Sequence, residues 1–296
     1  MKKLKGILYV ALGASSYGVL ATFVKVANEE GAHTSVLTFS QFTIGAIILT
    51  LIALFSKKSV IVEKEHSKSH YPKLQLVGFG TAFGLTSTFY YLSIQYVPVS
   101  IGIILLMQTI WMGIVLEAIL SWKSVNATKV IGGIIVIIGT LLATNIFSTE
   151  VSLHWKGILF GLLAALFYTC AMFASNRIAL HLPNVERSAY LIWGGLLAII
   201  LFWNFNIIEY FDINVLLKWG LFLSFFGTVL PPLLFTKGIP ITGTALGGII
   251  SAVEIPISIL CAYWVLNESV GLIQWFGIFV ILISVVLINI RLKTKA

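Results

Sequence analysis

Charge is what this sequence has least of. Only 10% of its 296 residues are Asp, Glu, Lys or Arg, against 58% hydrophobic, where a soluble domain carries about 25% charged residues. A soluble globule is excluded, because so apolar a chain would lack the polar surface to cover its core. Cysteine is scarce too. Cys170 and Cys261 are its two copies, both inside apolar runs, and read as unpaired thiols packed like small apolar groups. There is no G-x-x-x-x-G-K-[ST], hence no built-in ATP engine of that type, and no H-E-x-x-H. All five histidines fall in polar connections. His66 and His70, four apart, sit in a charged loop and make a weak metal pair at best. No Ser/His/Asp set lies at one depth. These gaps argue against an embedded enzyme and against a bound metal or cofactor.

What is present in abundance is long apolar segments. Ten can be read: 5–26, 35–56, 75–95, 99–121, 129–146, 157–179, 188–204, 217–237, 243–266 and 270–290. Each is near the ~20 residues that a spanning helix needs. Runs such as "IGGIIVIIGTLLA" (131–143) do not alternate as barrel strands would. The sequence therefore predicts an all-α integral membrane protein of ten transmembrane helices. The one long connection, 56–73, is polar and reads as a surface loop without a core. The basic, then apolar, start resembles a secretory signal. It is long enough to span, however, and its repeat at 156 makes it part of the architecture.

Of the 19 Lys and Arg, ten spans put three on one side (Lys25, Lys156, Lys218) and the remaining sixteen on the other. The positive-inside rule then expects both termini in the cytoplasm and the chain in the inner (cytoplasmic) membrane. The net charge of +8 is accounted for by this asymmetry and the anionic leaflet it faces, with no nucleic acid needed.

The chain also repeats. "KGILY" (5–9) returns as "KGILF" (156–160), and Tyr17 is matched by Tyr168. "YVPVSIGIILL" (96–106) is matched by "GIPITGTALGGII" (238–250), and Gly132 falls on Gly277. Two five-helix halves follow, 1–147 and 148–296. Because five is odd, the second half enters the membrane from the opposite side. Such inverted-topology repeats are the architecture of many secondary transporters.

Together with "SAVEIPISILCAYWVLNES" (251–269), these features resemble the drug/metabolite transporter superfamily, specifically its ten-helix EamA-like members. The stretch 251–269 is similar to that family's glutamate–proline helix with a Leu-x-Glu end. Here Ile255 separates Glu254 from Pro256, and Trp111 stands in the first half where Pro256 falls. The resemblance implies a basket of helices one to four and six to nine around a central cavity, with the fifth and tenth outside. It also implies export of small metabolites, amino acids or toxic compounds, often against protons, although some members import.

Two acids lie inside the helices, Glu117 and Glu254. A mid-membrane charge is a functional candidate by default. Glu254 shares a helix face with Ser251 and Ser258, and Pro256 frees a carbonyl one turn earlier. This polar stripe suits a substrate amine or a proton, or alternatively a bond that holds the fold. Glu117 reads as a snorkelling or paired acid beside Lys123 and Lys129. Tyr17 and Tyr168 face each other in the repeat logic, and Ser87, Tyr90 and Tyr91 lie within one turn of helix three. Gln108 and Trp111 are assigned to the cavity wall. Pro231 and Pro232 must disturb helix eight, so with Pro256 they are candidate hinges. Gly132, Gly133 and Gly139 suit close helix packing. Arg177 reads as snorkelling to the surface.

The expected function is a secondary active transporter that exports a small organic solute by alternating access, coupled to protons or by exchange. Its partners would be that solute, protons and the lipid bilayer. The oligomeric state is unreadable. An uncoupled facilitator, a non-transporting scaffold or sensor, and an unrecognised membrane enzyme are the other readings.

Overall fold

The computed structural model describes residues 2–55, 71–120, 127–144, 154–179, 182–242, 247 and 250–289. The side chains of 174–177, 236, 239–240 and 288–289 are outside that description. So are His66, His70, Lys123 and the side chain of Arg177. Every described element is helical: α1 (Lys2–Glu29), α2 (Thr34–Phe55), α3 (Pro72–Tyr96), α4 (Val99–Leu106), α5 (Thr109–Leu120), α6 (Ala127–Ala143), α7 (Trp155–Arg177), α8 (Asn184–Trp203), a short α9 (Phe205–Glu209), a long α10 (213–242), α11 (Glu254–Leu266) and α12 (Leu272–Asn289).

Among the described residues, six stretches are long and apolar enough to cross a membrane: Lys2–Glu29, Thr34–Phe55, Val99–Leu120, Trp155–Phe173, Asn184–Trp203 and Ile213–Phe235. Three apolar helices are shorter, namely Ala127–Ala143, Glu254–Leu266 and Leu272–Leu287. α3 is 25 residues long and richer in hydroxyl and amide side chains. Its start follows from Pro72 in the first turn, where a missing N–H costs nothing. Pro98 then opens α4 after a single extended residue, Val97.

Two crossings are broken in mid-course. The fourth turns at Met107 and Gln108 between α4 and α5, and the ninth turns at Ala252 and Val253 just before α11. The offset that places Gly132 on Gly277 also places one break on the other. In both, the ladder tightens to i+3 bonds: Gln108 N to Leu105 O at 3.1 Å, and Val253 N to Ile250 O at 3.1 Å. Pro256 removes one donor in the second break, and the carbonyl it leaves, Ala252 O, accepts instead from Ile255 N at 3.2 Å. The first break has no proline. At Pro231 and Pro232, α10 stays helical. The disturbance expected there takes the form of π-helical pairing over Ser224–Val229 immediately before, and the Phe226 carbonyl in that segment accepts from Ser16 Oγ at 2.6 Å.

Lipid supplies no hydrophobic force between helices, so close packing of small residues holds them. At the α3–α8 crossing, a Cβ on Gly84 would lie 2.1 Å from the Gly195 carbonyl oxygen. α6 and α12 meet in the same way. A Cβ on Gly139 would lie 3.0 Å from Gly277 O, and Ser284 Oγ donates to Gly132 O at 2.6 Å. Under the repeat offset, Gly139 maps to Ser284 and Gly277 to Gly132, so these two contacts are one contact seen twice.

Candidate functional site

The interior of the bundle carries a second twinned contact. A Cβ on Gly18 of α1 would lie 2.7 Å from the Glu254 carbonyl oxygen. The repeat maps Gly18 onto Thr169 and Glu254 onto Thr109, and Thr109 Oγ1 lies 2.8 Å from Thr169 Oγ1. At these equivalent places a helix from each half rests on the broken helix of the other half. The two sites differ in charge. One holds a threonine pair bonded to itself, the other a glutamate against a glycine.

Glu254 thus stands at the restart of the ninth crossing, half-buried. Its electrostatic neighbours are Tyr17 of α1, Tyr90 of α3 and Tyr168 of α7. Among the described residues its carboxylate makes no hydrogen bond or ion pair, and the Tyr17 and Tyr168 hydroxyls make no hydrogen bond. The Tyr90 and Ser258 hydroxyls are fully enclosed and adjoin one another without reaching hydrogen-bond geometry. Two enclosed hydroxyls, Tyr90 and Ser258, are therefore left without partners, where buried polar groups are ordinarily satisfied, while Glu254, Tyr17 and Tyr168 are half-buried.

The other nominated residues are placed apart from this cluster or beside it. Tyr91 turns to α2 and donates to Gln41 Oε1 at 2.6 Å, while remaining an electrostatic neighbour of Tyr17. Gln108 Nε2 donates to Thr140 Oγ1 of α6 at 2.6 Å and to Ile104 O at 3.0 Å, and its oxygen accepts from Trp111 Nε1 at 2.9 Å. Gln108 and Trp111 thereby join the fourth crossing to the fifth. Ser251 Oγ donates within its own helix to Gly247 O at 2.9 Å. Ser87 is half-buried on α3. Glu117 is paired, with Lys129 Nζ 2.7 Å from each of its oxygens. Both cysteines are free thiols.

Three residues that matter here escaped the sequence reading. Glu268, just beyond α11, accepts from Val99 N at 2.6 Å, Ser100 N at 3.0 Å and Ser100 Oγ at 2.8 Å. It thereby caps the start of α4, where backbone donors lack helical partners. Lys25 of α1 approaches the same carboxylate at 3.8 Å. The only sequence signal was the Leu-x-Glu ending. Gln41 had none.

At the same end, a cavity of about 470 Å³ opens between the α1–α2 and α9–α10 connections, lined by Glu30, Ala32, Asp212, Lys218 and Trp219 among others. It contains none of the nominated residues, and its acids are engaged. Glu30 accepts from Lys218 at 2.6 Å and from Trp219 Nε1 at 3.2 Å, and Asp212 accepts from Asn214 N at 2.8 Å. The Lys218 hydrogen bond holds the Glu30 carboxyl below its ordinary range. The unsatisfied cluster around Glu254 is the better candidate. Among the described residues no cluster of His, Cys, Asp and Glu fits a metal ion.

Paired helical contacts, two equivalent breaks and an uncompensated interior carboxylate define a multi-span membrane protein built on a doubled unit, of the kind that carries solutes. The EamA-like transporter family model matches residues 4–145 and again 155–290. The chain belongs to the EamA-like transporter family. No curated protein sequence matches it. Among solved structures, 23 chains match. One, a protein crystal structure, is 16% identical with a TM-score of 0.62, over 94% of this chain and 95% of that one. That similarity speaks for the fold alone.

Proposed function

We propose that this chain is a secondary active transporter that exports a small organic solute from the cytoplasm by alternating access, with Glu254 as the binding or coupling carboxylate. It sits in the cytoplasmic membrane with both termini inside, and the two halves, 1–147 and 148–296, rock against one another. The observation that carries the reading is the pair of enclosed, unsatisfied hydroxyls of Tyr90 and Ser258, on α3 and α11, together with the half-buried Glu254, whose backbone carbonyl packs against Gly18 of the other half. A carboxylate left unpaired at such depth is expensive, and a bound solute or proton relieves it in turn. The twinned contacts support rocking, since exchanging the conformations of the halves produces a second state of similar construction.

Alternating access can be tested without knowing the solute. In a Cys170→Ser/Cys261→Ser background, Tyr17→Cys should react with an impermeant thiol reagent from either face of oriented vesicles. A passive scaffold closed around its core would protect it from both. Glu254→Gln should still fold and still be labelled, but should lose movement driven by a pH gradient. Failure to fold would make Glu254 a structural residue.

A further inference from the structure

The double proline of α10 strips two backbone carbonyls of their donors. Pairing over Ser224–Val229 is π-helical, and Leu230 N donates to Phe225 O. The next two donors in that register would be residues 231 and 232, both proline, which carry no N–H. Phe226 O and Gly227 O are thereby left without helical partners. An α register would not supply them either, since Leu230 N is already given to Phe225 O and Pro231 is the residue from which Gly227 O would accept. The first half brings a side-chain donor to each of these two residues. Ser16 Oγ of α1 donates to Phe226 O at 2.6 Å. Gln41 of α2 is 2% exposed, and its Nε2 would lie 2.6 Å from a Cβ on Gly227. The Tyr91 hydroxyl fixes its Oε1 at 2.6 Å, while its Nε2 makes no hydrogen bond among the described residues. One stripped carbonyl is satisfied, and the other belongs to a residue with an idle amide beside it.

Resting on the transport reading above, we propose that Ser16 and Gln41 are positioning residues that latch the hinge of α10 in alternate states. In the state seen here Ser16 holds Phe226 O. In the other state α10 shifts against the first half, Ser16 lets go and Gln41 Nε2 donates to Gly227 O. Each state makes one of the two bonds and leaves one carbonyl open, so this contact favours neither strongly, as states that interconvert require. A π-helical segment next to two prolines is where a membrane helix bends with least loss of pairing, because the donors that bending would break are already absent. Glycine is needed at 227, since a Cβ there would also lie 2.8 Å from Leu20 Cδ2. Both donors belong to 1–147 and both carbonyls to 148–296, so the latch joins the parts that the transport cycle moves.

Opposite effects of the two donors separate a latch from ordinary packing. Nitroxides are placed at Glu29→Cys and Ser269→Cys, both exposed positions, in a Cys170→Ser/Cys261→Ser background. Pulsed electron resonance in liposomes then reads the ratio of the α1–α11 separation found here to a second one. One hydrogen bond of this kind moves such a ratio about fivefold. Ser16→Ala should lower the ratio by about that factor, Gln41→Leu should raise it by about that factor, and the double variant should return near wild type. Pro232→Ala gives Gly227 O a donor of its own in the π register. It should act as Gln41→Leu does, and it carries the test if Gln41→Leu does not fold. Shifts in the same direction would overturn the latch. So would the absence of any shift while Tyr17→Cys, with Ser16 and Gln41 unchanged, is labelled from both faces, and transport would stand. Protection of Tyr17→Cys from both faces would bring down the transport reading itself.

Discussion

Glu268 binds the end of α11 to the start of α4 in the other half, and its removal can be worked through in numbers. The carboxylate accepts three hydrogen bonds from the first turn of α4, at 2.6, 3.0 and 2.8 Å. A hydrogen bond to a charged group contributes about 1.5–3 kcal/mol. Three on one carboxylate overlap, so if the two halves alternate as proposed, Glu268→Ala should remove about 3 kcal/mol from the state in which this end is closed. Lys25 is different: it stands 3.8 Å away, with 24% of its side chain exposed against 11% for Glu268. Such a pair contributes about 0.5 kcal/mol. At roughly 1.4 kcal/mol per factor of ten, Glu268→Ala should shift the open-to-closed ratio at this end about a hundredfold, and Lys25→Met only about twofold. Nitroxide labels replacing Glu29 and Ser269, both exposed, report the separation of α1 from the end of α11 by pulsed electron resonance in liposomes. The Glu268→Ala distribution should move to longer distances while Lys25→Met stays near wild type. Equal shifts in the two variants would show that ion pairing, not capping, holds this end. A lowered Tm with no shift in either would reduce Glu268 to a helix cap without a part in closure.

Two further tests address packing and the polar ends. Gly84→Ala would press a methyl to 2.1 Å from a carbonyl, and should cost about 1–3 kcal/mol of stability, read as a lower Tm in detergent. Gly78→Ala meets nothing within 4 Å and should leave Tm unchanged. His33 stacks on Tyr210 at 4.1 Å, and its Nδ1 accepts from Ser35 N at 3.3 Å. Burial holds its pKa below the ordinary value, with Glu209 opposing. The folded state therefore favours neutral imidazole, and the unfolded chain takes up the proton first. Stability from this group is complete above about pH 6.5 and is lost as the pH falls below it. Melting across about pH 5 to 7 should show this dependence in wild type and less of it in His33→Gln.

Much of the architecture is written locally. Apolar runs of spanning length mark the crossings, because lipid demands that backbone groups be satisfied within each segment, and the odd repeat supplies the inversion. Tyr17, Tyr168 and Glu254 could be nominated because an acid in such a run is rare and equivalent tyrosines are visible by alignment of the halves. Other features depend on partners far away in sequence. Gln108 and Trp111 are polar at mid-depth, as are Tyr90 and Ser258, yet Trp111 donates to Gln108, which donates to Thr140, while the Tyr90 and Ser258 hydroxyls stay unsatisfied. Nothing in the neighbouring residues separates the two outcomes.

By itself, then, the sequence determined the solvent, the number of crossings and the doubling, because hydropathy and repetition are properties of contiguous residues. Only the tertiary structure decided that both broken helices turn at equivalent points, that Glu268 caps α4 rather than facing water, and which polar side chains remain without partners. The physical reason is that a hydrogen bond spanning 168 residues, as between Glu268 and Ser100, depends on how helices rotate and cross, and close packing of glycines sets that rotation.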